Sequence, residues 1–542
     1  MDVIDLSLPP IYPIATDYTN EKKELLQFFS YNPFSPNVYR ERYEELINKQ
    51  FNNRKTLSTY LYRWNTQFNP SPETLRNIER LNDERAVVVI GGQQAGLLTG
   101  PFYTVSKIIS IIQLAKEQEE MLKVPVIPVF WIAGEDHDFQ EINHLFVSDK
   151  QMIKKISFKD KAAGKRMVAE LSLNKDELSK WVREIFSYYS ETEYTIELLS
   201  IVESAIESSN TYVDFFSYLI SALFGKEGLV LINAADPELR ELEKEHFHLL
   251  FQSHQSITNE VLHTQEKLSA LAYKPMLEVQ ENSTNLFLHI NGERNLLYWN
   301  DEEKTYYTGS GKELNKQELA DLLEQSPIDF SNNVVTRPIM QDLLFPTLAF
   351  IAGPGEIAYW GELKGAFSSL SLNMPPVVPR LHFSILERNV LSTMKELEIG
   401  LEEALRNGIE EKRKVILYEL ELKEMESELQ KFHERYKQLH EEFGQFGSKF
   451  NPNLQSNFQE NWLYIDKQFT YISRLVERSS YQKYENLMKK YNRVQNALRP
   501  NNTPQERTWN VFYYLNKYGI DFLHQICSIP LKHDGMHKVI KP

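Results

Sequence analysis

The sequence predicts an α/β protein: a parallel-sheet core with helices on both faces, joined to a long antiparallel helical coiled coil. Three observations carry this expectation. The run "AVVVIGG" (86–92) is short, continuously apolar and closed by glycines, as in a strand buried on both faces. A helix-periodic stretch (102–118) and a second apolar run, "VPVIPVFWIAG" (124–134), complete one βαβ unit. Far downstream, Val415, Tyr418, Leu422, Met425, Leu429, Phe432, Tyr436, Leu439 and Phe443 follow the 3-4 spacing of a coiled-coil seam.

Taken in order, residues 1–80 place apolar positions for amphipathic helices around 21–29 and 43–64. After the βαβ unit, "GLVLINAAD" (228–236) and "FPTLAFIAGPGE" (345–356) read as further strands. Between them, "NLFLHINGERNLLYW" (285–299) sets Asn291-Gly292 between alternating apolar runs, which is a hairpin signal. The core therefore spans 1–385, with insertions at about 150–220 and 240–335. Composition changes after "PPVVPRLHF" (375–383), and "GQFGSKFNPN" (444–453) breaks the seam. A second helical run carries Trp462, Ile465, Phe469, Ile472 and Val476, then Tyr484, Tyr491 and Leu498, and stops at Pro500. Two such runs make a helical hairpin over 386–500, and a segment at 501–542 without heptads is expected to pack back on the core.

Composition narrows the function. The formal charge is −15, which disfavours duplex nucleic acid as a partner. Cys527 is the single cysteine, so neither an intrachain disulfide nor a cysteine-rich zinc site can form. No apolar run approaches the ~20 residues of a membrane span, and "MDVIDLSLPPIYPIATDY" lacks a basic flank and apolar core. A cytoplasmic protein without a membrane partner is the expectation.

Three polar loops follow strand candidates. "GGQQAGLLTGPFYTVSK" (91–107) is a glycine-rich strand-to-helix junction, suited to an anion at the helix N-terminus, with Lys107 as a nearby cation. Its spacing matches neither GxxxxGK[ST] nor GxGxxG. "IAGEDHDFQEINH" (132–144) admits three readings. His137, Glu141 and His144 form a His/Glu/His metal face if helical; Asp138 and Glu141 form a capping box; or Asp136 and His137 contact substrate as an acid/base pair. "IAGPGEIAYWGELKGAF" (351–367) repeats Ile-Ala-Gly before an acidic residue, Glu356 here and Glu135 in the earlier loop. Arg337 and Arg380 are either carboxylate clamps or partners in structural salt bridges.

The candidate catalytic residues are Lys107, Asp136 and His137, with no metal assigned. The candidate substrate contacts in the first loop are Gly92, Gln93, Gln94, Gly96, Thr99, Gly100 and Tyr103. Those elsewhere are Glu135, Asp138, Gly353, Gly355, Glu356, Tyr359, Arg337 and Arg380.

These loops, with "PPVVPR" and "PQERTWNVFYYLNKYG" (504–519), resemble the bacillithiol biosynthesis cysteine-adding enzyme family over essentially the whole chain. The resemblance implies a Rossmann-like core with connecting-peptide insertions, similar to class I aminoacyl-tRNA synthetases, plus a coiled-coil domain. It implies a ligase that joins L-cysteine to the amine of glucosaminyl-malate through an activated cysteinyl intermediate. No cofactor is expected to be tightly bound; ATP or another nucleotide would be the activating cosubstrate. The HIGH and KMSKS motifs of the synthetases are absent as such. A metal-dependent hydrolase using His137, Glu141 and His144 and a non-catalytic coiled-coil scaffold are the alternatives. The large seam residues Met425, Phe432, Tyr436 and Phe443 lead us to expect a homodimer through the coiled coil.

Overall fold

Five parallel strands form the central sheet: β1 (Val87–Gln93), β2 (Val126–Ile132), β3 (Val230–Asn233), β4 (Thr347–Ala352) and β5 (Val377–Pro379). This architecture comes from a computed structural model that describes residues 1–8, 12–160, 166–417 and 423–542. Spatial order is β5-β4-β1-β2-β3, and every neighbouring pair is parallel. The chain thus leaves β1 towards one edge and returns to its other side with β4. That reversal opens a crevice at the carboxyl ends of β1 and β4, where open α/β sheets take their ligands. All residues of β2, β3 and β4 are buried, which explains their unbroken apolar character.

Helix α1 (Phe102–Leu122) crosses from β1 to β2 and is buried without interruption from Thr104 to Ala115. That stretch is enclosed on all sides and so carries no one-sided apolar stripe, while the last two turns reach the surface. Helix α2 (Pro237–Ala270) starts after β3 at Asp236, whose carboxylate accepts from Glu238 N at 2.9 Å. Helices α3 (Thr336–Leu344) and α4 (Pro354–Trp360) bracket β4.

Between β2 and β3 lie an antiparallel hairpin, His144–Asp149 with Met152–Ser157, and the helices Lys175–Ser187, Thr195–Ser208 and Tyr212–Phe224. After α2 comes a five-stranded antiparallel sheet holding the Asn291-Gly292 hairpin. Both turn residues are left-handed, with φ of 53° and 77°, as a two-residue type I′ turn requires. A strand absent from the sequence reading, Asp2–Leu6, pairs antiparallel with His537–Lys541, which itself pairs parallel with His382–Ile385. The chain divides into a unit of Met1–Ile385 with Gln505–Pro542 and a second unit of Leu386–Pro504.

In the second unit, α5 (Lys423–Phe450) and α6 (Gln455–Lys483) run antiparallel around a turn at Asn451–Leu454. The break falls later than expected, because Gly444 and Gly447 stay helical. A Cβ on Gly447 would lie 2.7 Å from the Phe458 ring, so the glycine admits that ring between the helices. A further helix, Glu485–Leu498, is offset from α6 at Tyr484. His433 Nε2 meets Asp466 Oδ1 at 2.7 Å, and the Phe443 and Phe458 rings pack 5.2 Å apart. Phe432, Tyr436, Leu439 and Phe443 are 51–65% exposed. Tyr418 and Leu422, read above as seam positions, lie outside the described residues.

Candidate active site at the head of the parallel sheet

A cavity of about 800 Å³ opens at the β1/β4 reversal and is walled by all three loops. On the β1 side it exposes Gly92, Gln93, Gln94, Tyr103 and Lys107. Lys107 is buried, and its ammonium donates to Gly92 O at 2.7 Å, to Gln93 Oε1 at 3.1 Å and to the Glu356 carboxylate. Burial lowers its pKa below the usual lysine range even with Glu356 alongside. Glu356 also accepts from Gly353 N at 2.7 Å, which fixes the carboxylate at the start of α4. Gly92 is required by the sheet itself: a Cβ there would lie 2.6 Å from Trp131 O on β2.

The rest of the glycine-rich loop is put to another use. Gly96, Thr99 and Gly100 do not line the cavity. Leu98, Thr99 and Gly100 are successively left-handed, with φ of 47°, 70° and 72°. Asn510 holds this turn by donating Nδ2 to Leu98 O at 2.7 Å and to Gly100 O at 2.5 Å. The first N–H of α1, on Phe102, donates to Trp509 O at 2.8 Å. The helix N-terminus expected to hold an anion is therefore closed by the C-terminal segment.

The second loop separates its acidic residues. Glu135 is fully buried behind the cavity, where it accepts from Arg240 Nη2 at 2.5 Å and from Arg337 Nε at 3.0 Å. It orients Arg337 and does not itself line the cavity. Asp136 reaches the cavity and accepts from Arg337 Nη2 at 2.7 Å, with Arg294 Nη1 at 3.5 Å. Burial alone would raise its pKa, but Arg337 and Arg294 outweigh burial and hold it below the ordinary carboxylate value. Glu243 closes the network on Arg240, and burial pushes its own carboxyl up to about 7.

His137 and Asp138 are exposed and lie outside the cavity, although Glu141 lines it. The assignment of His137 to the chemistry and of Asp138 to substrate contact therefore lacks the necessary placement. Asp138 makes no side-chain cap on the helix Phe139–Ile142, so the capping-box reading fails as well. That helix ends before His144, which opens a strand and bonds Gln140 O through Nδ1 at 3.1 Å. The one-helix geometry required by the His/Glu/His metal reading is absent. Among the described residues, no group of three or more His, Cys, Asp or Glu is placed to hold a metal ion.

Gly353, Gly355, Glu356 and Tyr359 line the third wall, and burial raises the Tyr359 phenol. Arg337 and Arg380 both reach the cavity, but each guanidinium is engaged by protein carboxylates. Arg380 is bound bidentately by Glu506, at 2.8 and 2.5 Å, and His382 Nδ1 adds a contact to the same carboxylate at 3.0 Å. Burial would raise Glu506, but Arg380 and His382 hold it well below its ordinary pKa. Glu506 belongs to the short helix α7 (Gln505–Thr508).

Sequence reasoning missed Arg294, on the hairpin after Asn291-Gly292, and Arg507, beside Glu506. Both lie in stretches quoted above for other reasons; only tertiary structure brings them to the cavity.

Two family models match the chain: "Bacillithiol biosynthesis BshC, N-terminal Rossmann-like domain" over residues 1–381, and "Bacillithiol biosynthesis BshC, C-terminal coiled-coil domain" over 383–542. Full-length relatives bear the name "Putative cysteine ligase BshC". One from Anoxybacillus flavithermus is 42% identical over 541 residues, and one from Geobacillus sp. strain WCH70 is 40% identical over 541 residues. A third, from Bacillus cereus, is 40% identical over 542 residues; in all three cases the match covers 100% of both chains.

Proposed function

We propose, on the premise that the chain belongs to the bacillithiol biosynthesis BshC family of ligases, that it joins the carboxyl group of L-cysteine to the amine of glucosaminyl-malate. The observation that carries this reading is the cavity lined by Lys107, Asp136 and four arginines at the sheet's reversal point, in a chain that matches relatives named "Putative cysteine ligase BshC" end to end.

A carboxylate does not react with an amine at neutral pH, so the acid must be activated first. A cysteine carboxylate oxygen attacks phosphorus of ATP or another nucleotide, releasing pyrophosphate or a nucleoside diphosphate. The acceptor amine then attacks the carbonyl carbon; the C–N bond forms as the bond to the phosphate-bearing oxygen breaks. Lys107, held by Glu356, faces the activated carboxyl and stabilises the charge that grows there. Asp136, ionised beside Arg337, orients the acceptor's nitrogen, which attacks as the free amine once its ammonium has lost a proton to water; a second proton leaves to water as the amide forms. The reaction takes place in the cytoplasm. The exposed apolar residues of α5 support pairing of two arms in a homodimer.

The test is to incubate the full chain with cysteine, glucosaminyl-malate and ATP, GTP, CTP or UTP in turn. Mass spectrometry should find the acceptor plus cysteine minus water, with one equivalent of pyrophosphate or phosphate released. Failure to form the amide with any of these nucleotides would count against the reading.

A further inference from the structure

The C-terminal motif "PQERTWN" (504–510) is built into the site at several points. Gln505 pairs with the backbone of Ile385, accepting from its N–H at 2.6 Å and donating to its carbonyl at 3.0 Å. Glu506 is buried in the clamp with Arg380, and Phe383 N donates to it at 3.3 Å. Asn510 fixes the glycine-rich turn. Between these anchors Arg507 is exposed and lines the cavity. Its neighbours are immobilised, so its backbone is positioned before any ligand arrives.

Charge pairing singles this residue out. The other cavity cations are already engaged: Lys107 by Glu356, Arg294 and Arg337 by Asp136, and Arg380 by Glu506. Among the described residues, Arg507 alone of the lining cations has no hydrogen bond or ion pair within the protein. Arg507, Arg380 and Glu141 all act electrostatically on the Tyr103 phenol, which places cation and anion around one ring. A free guanidinium with a carboxylate nearby is complementary to a ligand that carries both carboxylate and ammonium groups.

We infer that Arg507 is a specificity residue that recognises the carboxylates of the acceptor's malate group, an assignment that rests on the ligase reading above. Cysteine's one carboxylate is consumed by activation, whereas both malate carboxylates persist through the reaction and need a lasting partner. A charge-assisted contact of this kind corresponds to roughly 10- to 100-fold in affinity.

Calorimetric titration of the full chain tests this without relying on turnover. Wild type and Arg507→Gln are titrated with glucosaminyl-malate, its dimethyl ester and ATP. The variant should bind the diacid about 10- to 100-fold more weakly, while the ester and ATP bind both proteins alike. Arg507→Lys should recover part of the loss. Equal affinity for the diacid, or a loss confined to ATP, overturns the inference. Wild type that forms the amide while the two proteins bind the diacid alike would refute the Arg507 assignment alone. Wild type that neither binds the diacid nor forms the amide would refute the ligase reading as well.

Discussion

The cavity at the head of the sheet and the paired helices α5 and α6 treat their side chains in opposite ways. Around the cavity, a network of charges is matched pair by pair, with Arg507 left outside it: Glu135, Asp136 and Glu243 are joined to Arg240, Arg294 and Arg337, and Glu506 is joined to Arg380. On the helical pair, large apolar groups such as Phe432 and Leu439 remain more than half exposed. A buried charge is tolerated only with its partner in place, so the first region should respond sharply to single changes. Exposed apolar groups add little to the stability of one chain and matter when a second surface covers them.

The largest effect should come from Glu135. Glu135→Ala removes the carboxylate shared by Arg240 and Arg337 and should destabilise the core unit by about 3–5 kcal/mol, read by urea unfolding. A change below about 1 kcal/mol would show that the network is better hydrated than its burial indicates.

Glu506 offers a more moderate test with a pH signature. Its pKa is lower in the folded chain than its ordinary value of 4.5, because Arg380 and His382 outweigh the opposing effect of burial. Stability from this source is therefore fully present above about pH 4.5 and lost as pH falls through the lowered value. Glu506→Gln should cost about 2–3 kcal/mol at pH 7, with a gap from wild type that narrows in acid. A pH-independent gap would assign the loss to packing and remove charge from the explanation.

On the helices the expected effect on chain stability is smallest. Leu429→Glu with Phe432→Glu should change unfolding of the core unit by less than about 0.5 kcal/mol. The same variant should shift a homodimer to monomer in light scattering. Wild type that is already monomeric at micromolar concentration would remove the proposed pairing.

Legibility in the sequence follows the same divide. The strands β1, β2 and β4 were readable because a strand buried on both faces must be apolar throughout, and the hairpin was readable because its Asn-Gly turn needs two left-handed residues. The N-terminal strand "DVIDL" was not, since it alternates with aspartates and pairs with the far end of the chain. The glycine-rich loop stands out in the sequence as a ligand-binding junction, but only its first half lines the cavity. Its second half serves Asn510, a partner 410 residues from Gly100, and no local pattern reveals such a contact. Glu135 and Asp136 are adjacent and chemically alike, yet one lies behind the cavity and the other in it. What separates them is Arg240, contributed by α2. His137 looked like a candidate because His beside Asp is a frequent acid/base pair, but its side chain is exposed and lies outside the cavity.

The central claim is that the strand-head cavity performs the ligation, and Lys107 tests it most directly. Its ammonium sits between the end of β1 and Glu356, whose carboxylate is also held by Gly353 N. The rate of amide formation from cysteine and glucosaminyl-malate should be measured for wild type and Lys107→Ala, with folding of both checked by circular dichroism. The account predicts a folded variant slower by at least about tenfold, the equivalent of one charge-assisted contact in the transition state. A folded variant that turns over at the wild-type rate would contradict it.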